Sequence, residues 1–141
     1  MRFTSTRAAL ATLALSAGIA APAAAGDVTV TVEGLRNGAG LIRAAVCPPE
    51  TFTKPGCPYV GAARASGGRV TVTGVPDGVY AVQVFHDEDA DGALDRNGFW
   101  PTEGLGFSND APMRMGPPRF RDAAVRVTGG GSIRLNVRYF P

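Results

Sequence analysis

Histidine, cysteine and tryptophan are scarce in this sequence, with one His, two Cys and one Trp in 141 residues. A single histidine, His86, excludes the usual His-rich zinc site. Cys47 and Cys57 lie too far apart for an activated C-x-x-C redox pair. There is no G-x-S-x-G elbow, so Ser108, His86 and an aspartate have no motif behind them as a nucleophilic triad. Carboxylates facing each other across a cleft, as a glycosidase needs, are not suggested either, because the acids crowd into one stretch. No segment sustains a 3.6-residue apolar period, which excludes a helical bundle. Beyond residue 25 no long apolar run offers a spanning helix.

An excess of either charge is also lacking. The formal net charge is +2, and Arg2 and Arg7 account for it. The rest of the chain is balanced, which argues against general nucleic-acid or membrane-surface binding. Those two arginines precede an apolar run from Ala8 to Ala20, a break at Pro22, and small residues Ala23, Ala24 and Ala25 before Gly26. This is the pattern of a cleavable signal peptide over residues 1–25. The expectation is an exported protein, periplasmic or secreted, whose residues 26–141 form one domain with no membrane insertion after cleavage. In an exported chain, Cys47 and Cys57 are expected to form a disulfide across a Pro-rich loop.

What is present is strand patterning. Val28, Val30 and Val32 alternate with polar residues, and Leu41 to Val46 is a second strand. Asn37-Gly38 between them predicts a hairpin. Arg69–Thr73, Val79–His86, a strand around Val125 and Val127, and Ile133–Tyr139 follow, separated by turn residues. Val79–His86 is apolar on both faces and is expected to be central. Residues 87–118 read as one long irregular loop, a length that function or packing must account for. The pattern predicts an all-β fold: a single small antiparallel β-sandwich of about six or seven strands.

The most specific motif is Asp87-Glu88-Asp89-Ala90-Asp91-Gly92-Ala93-Leu94-Asp95. Acids at positions 1, 3, 5 and 9 with Gly at 6 match the start of a calcium loop. Asp87, Asp89, Asp91, Asp95 and the carbonyl of Ala93 are the expected ligands, for Ca2+ of weak to moderate affinity. Gly98 stands where the bidentate Glu belongs, leaving Glu103 or Asp110 to complete the set. Apolar mass at Phe99, Trp100, Phe107, Met113, Met115 and Phe120 folds the long loop down or lines a surface. His86, Trp100, Glu103 and Phe107 are the candidate ligand or partner residues.

The ordered series Gly78–Val82, His86–Asp89, Asp91–Asp95, Pro101–Asn109 and Pro117–Phe120 with Asp122-Ala123 resembles the DUF2141 proteins, exported bacterial proteins of unassigned function. Val75–Tyr80 is similar to the strand-turn of prealbumin-like sandwiches. The resemblance implies one exported domain with a prealbumin-like or Ig-like β-sandwich, and it brings no catalytic residues. The leading expectation is therefore a non-enzymatic binding module with a calcium-stabilised acidic loop, its partner a small ligand or a cell-envelope protein. The alternatives are a metal-assisted periplasmic enzyme using His86 with Glu103 or Asp95, and a structural accessory protein of the envelope.

Overall fold

The computed structural model describes residues 24–141, together with residues 14 and 16–19. The segment read as a signal peptide lies otherwise outside the described residues. Ten strands run in chain order: β1 (Ala25–Glu33), β2 (Leu41–Cys47), β3 (Tyr59–Arg64), β4 (Arg69–Pro76), β5 (Gly78–Asp87), β6 (Arg96–Asn97), β7 (Trp100–Pro101), β8 (Gly104–Phe107), β9 (Ala124–Val127) and β10 (Gly131–Asn136). One helical turn, α1 (Phe120–Ala123), precedes β9.

Two sheets pack face to face as an all-β sandwich. The smaller has the order β10-β1-β4, and the larger β3-β2-β5-β8 with β9 also on β5. β6 and β7 form a separate ribbon. Pairing is antiparallel except between β1 and β10, which run parallel. The expected β1–β2 hairpin does not form. β1 pairs with β4 and β10, while β2 pairs with β3 and β5 across the sandwich. The Asn37 side chain is used differently: its Oδ1 accepts the Ala39 amide and its Nδ2 donates to Glu88. The chain thus crosses between sheets where a tight turn was expected.

The core follows from strand alternation. Val28, Val30 and Val32 from β1 meet Ile42, Ala44 and Val46 from β2, Val70 and Val72 from β4, and Val82 and Val84 from β5. Full burial of one such side chain contributes roughly 1.5–3 kcal/mol. β5 is central as expected, because its outer face is covered in part as well. Over its first half lies a second cluster of Cys47, Phe52, Ala81, Phe107, Ala111 and Ala123. Cys47 and Cys57 are disulfide-bonded, with Cα atoms 5.2 Å apart. The bridge holds Phe52 edge-on to Phe107 and Phe120, at centroid distances of 5.9 and 6.0 Å.

Residues 87–118 are therefore not one irregular loop. Their middle is strand β8, whose inner face carries only Gly104 and Gly106. A Cβ on Gly104 would come within 2.3 Å of Val137 Cγ1, and one on Gly106 within 2.5 Å of the Asn136 carbonyl oxygen. These two glycines let the C-terminal segment cross directly over β8, where Leu105 and Arg138 exchange backbone hydrogen bonds of 2.9 Å.

Candidate metal loop and its supports

β5 delivers consecutive residues to opposite faces at its C-terminal end. His86 points inward and Asp87 outward, and both are fully buried. His86 Nε2 lies 2.7 Å from the Ala39 carbonyl oxygen, to which only a protonated nitrogen can donate. Its Nδ1 lies 2.7 Å from the Tyr139 hydroxyl. That hydroxyl accepts the Arg36 amide at 3.1 Å and is free to donate to Nδ1. A ring with a proton on Nε2 satisfies both the Ala39 carbonyl and the Tyr139 hydroxyl, a tautomer assigned from the network, and Glu88 Oε1 lies 4.0 Å from Nδ1. The ring sits under Tyr139, and the Arg36 guanidinium lies 4.5 Å from the centroid of that tyrosine. His86 is thus a pillar of the core and is closed to substrate, contrary to the expectation of a ligand-contacting residue or base.

Asp87 organises the loop that follows. Its Oδ2 accepts from Arg43 Nε at 2.5 Å and from the Gly92 amide at 3.0 Å, and its Oδ1 accepts the Asp91 amide at 3.1 Å. Gly92 adopts a φ of +84°, which fits the glycine at the turn position. Burial opposes the charge on Asp87. The hydrogen bonds from Arg43 and Gly92 and the Arg43 charge outweigh it and hold the carboxyl below its usual range. Glu88 is held low in the same way: against burial, Asn37 and Arg36 hydrogen-bond it and Arg36 neutralises it. Arg36 Nη2 stands 2.6 Å from its carboxylate.

Glu103, from the residue before β8, enters the loop from below. It is 4% exposed, and its two oxygens accept the Glu88 amide at 2.9 Å and the Asp95 amide at 3.1 Å. Burial pushes its carboxyl up, and the nearby charges of Asp95 and Asp87 add to the effect against those two hydrogen bonds. Glu103 is therefore an internal support, not the surface residue expected. Asp110, the other candidate for the missing ligand, is elsewhere: it binds the backbone amide and side chain of Asn136 at 2.7 and 3.1 Å.

The loop brings two sets of carboxylate oxygens together, each within 4.8 Å: Asp87, Asp89 and Asp91, and Asp89, Asp95 and Glu103. Asp89 belongs to both. Asp89 and Asp91 are exposed, and each accepts the amide two residues on, at 3.2 and 2.8 Å. The Asp91 amide pulls the Asp89 carboxyl down, but desolvation and the charges of Asp91 and Asp95 together leave it above its usual value. Among the described residues, no Lys or Arg forms an ion pair with Asp89, Asp91, Asp95 or Glu103. An all-oxygen donor set of this charge fits a hard divalent cation and does not suit zinc or copper.

Sequence reasoning did not find Arg43 or Arg36, the two cations that anchor the loop's flanks. Arg43 stands opposite Phe85 in the β2–β5 register, one step diagonally from Asp87. Its outward position in an alternating strand was a signal, but its partner depends on that register. Trp100 is 46% exposed, while Phe107 is buried at the edge of a cavity on the outer face of the larger sheet. Ser108 is buried and bonded to Val82 and Ala123, so it is no nucleophile.

A family model described as an uncharacterized protein conserved in bacteria, DUF2141, matches residues 30–134. No curated protein and no solved structure matches the chain. The match spans the sandwich from β1 into β10 and includes the whole acidic loop with both its supports, so the chain belongs to the DUF2141 family.

Proposed function

We propose that this protein is an exported, non-enzymatic β-sandwich binding module whose acidic loop is organised by calcium. One observation carries the reading: two carboxylate triads that share Asp89, namely Asp87, Asp89 and Asp91, and Asp89, Asp95 and Glu103, form on a loop pinned by Arg43 and Arg36, and among the described residues Asp89, Asp91, Asp95 and Glu103 have no basic partner. Crowding them without a cation costs electrostatic free energy, and the raised titration of Asp89 and Glu103 is the sign of it. Asp89, Asp91 and Asp95 would hold the ion, with Asp87 and Glu103 closing the site from the buried side. The exposed Ala93 would add its carbonyl, and the cation would supply the charge balance the loop lacks. The closed histidine supports binding over catalysis, because it removes the only imidazole from solvent. The disulfide accords with an oxidising compartment. Among the described residues no helix is long and apolar enough to cross a membrane.

Calorimetric titration of the domain with calcium, and separately with magnesium, tests the metal. The expected result is one calcium site, with a dissociation constant of about 0.1–1 mM if it resembles other extracellular modules. Asp89→Asn together with Asp95→Asn should abolish the heat. Absence of any calcium heat at several times that concentration overturns the reading.

A further inference from the structure

The outer face of the larger sheet is covered over only part of its area. Register places two rows of side chains on that face. Ala62, Arg43, Phe85 and Leu105 form one, and Val60, Ala45, Gln83 and Phe107 the other. The disulfide loop and α1 cover the Cys47 and Ala81 end. The rest stays open as two cavities of about 390 Å³ each, which share Gln83 and Phe85 and so form one trough. Its floor is low where Ala45 and Ala62 are small; Phe85 and Leu105 make it largely apolar, with Gln83 and the Asp87-paired Arg43 as its polar members. Phe99 and Trp100, which are 68% and 46% exposed, wall it on one side. Residues 53–55 of the disulfide loop wall it on the other.

The mouth of this apolar trough is cationic. Lys54 and Arg96 both line it. Both are exposed, and neither forms an ion pair among the described residues. No Asp or Glu lines either cavity, so the largely apolar trough carries two unpaired positive charges. An uncharged apolar ligand leaves those charges idle, and a cationic one is repelled. We infer that the trough binds a single-chain fatty carboxylate, its alkyl chain along Phe85 and Ala62 and its carboxylate between Lys54 and Arg96. Apolar walls with a few convergent polar groups are what such a site requires, and Arg binds carboxylate through a planar fork that fixes the headgroup.

Trp100 is the only tryptophan, so its emission reports the trough directly. The full-length mature protein is titrated with sodium dodecanoate below its micelle concentration, with dodecanol and dodecyltrimethylammonium as neutral and cationic probes. Saturable one-to-one binding is expected, with dodecanoate favoured over either probe by at least about tenfold, the effect of one charge-assisted contact. Lys54→Gln with Arg96→Gln should reduce dodecanoate to the level of dodecanol. Ala62→Phe, at an exposed strand position that tolerates size and adds no second tryptophan, should fill the trough and abolish binding of all three. Equal affinity for the three probes, or indifference to the Lys54 and Arg96 changes, overturns the inference. The titration is run in chelator and again in calcium. Loss of dodecanoate binding in both overturns it whatever calorimetry with calcium gives, because Lys54 and the floor lie outside the acidic loop.

Discussion

At the scale of single residues, the loop sets two kinds of carboxylate against each other. Glu103 and Asp89 titrate above their ordinary values of 4.5 and 3.8. Their contribution to stability is present below those values and is lost as pH rises through the raised folded ones. Asp87 and Glu88 titrate below 3.8 and 4.5. Their contribution is present above those values and is lost as pH falls through the lowered folded ones. In chelator the melting temperature should therefore climb as pH falls from neutrality towards 4.5, then drop below 3.8. Glu103→Gln should flatten the climb while leaving the drop. Arg43→Gln should do the reverse, removing the partner that keeps Asp87 charged. Leaving that buried carboxylate unpaired should cost about 3–5 kcal/mol, read by denaturant unfolding at pH 7. Asp89→Asn is milder. In chelator it should melt no lower than the parent, because it removes a repelled charge.

At the scale of elements, β8 and the disulfide loop are the sensitive pieces. Gly106→Ala drives a methyl into the Asn136 carbonyl oxygen, at 2.5 Å from an ideal Cβ, and should cost about 1–3 kcal/mol or more. Gly131→Ala, with no atom within 4 Å, is the control that should change little. Cutting the disulfide with Cys47→Ala and Cys57→Ala releases a loop of sequence separation 10. It should cost roughly 2.7 kcal/mol on the chain-entropy model and loosen the wall that carries Lys54. The strands visible in the sequence were those with an apolar run or β-branched alternation: β1, β2, β4, β5, β9 and β10. β8 was hidden because the close crossing of Val137 and Tyr139 demands glycine on its inner face, and Gly-Leu-Gly-Phe carries a loop's composition. β3, with Gly61, Ala62 and Ala63, has too little contrast between its faces to show a period of two. The β1–β2 hairpin was misread for a different reason. Asn37-Gly38 is a sound local turn signal, but the valines of β1 are buried by pairing with β4 and β10, a long-range choice that no local window contains. The same limit applies to the loop. Its acids and its glycine turn were legible, whereas the partners of Asp87 and the burial of His86 and Glu103 depend on register and on the C-terminal crossover.

At the scale of the whole molecule, the loop and the sandwich are coupled through few contacts, and those contacts decide how far a metal is felt. Asp87 and Glu103 anchor the loop to β5 and to the strand before the crossover, and Thr102 and Asp95 close the ribbon with a 2.9 Å backbone bond. A cation on Asp89, Asp91 and Asp95 therefore bears on the end of the central strand and not on a loose tip. Calcium at ten times its dissociation constant adds about 1.4 kcal/mol to the unfolding free energy. For a domain of this size that is a melting shift of roughly 5 °C, and it grows with the logarithm of concentration. Magnesium, which dehydrates reluctantly and demands tighter geometry, should give much less. The shift should shrink as pH falls through the raised titration of Glu103 and Asp89, because protons then compete for the same oxygens. Hydrogen exchange separates a local from a global effect. If calcium protects the amides of Asp91, Ala93 and Asp95 but leaves those of β1 and β4 unchanged, the ion orders a loop on an already stable sandwich. If β5 and β8 gain protection in the same measure as the loop, the ion is part of what holds the two halves of the fold together.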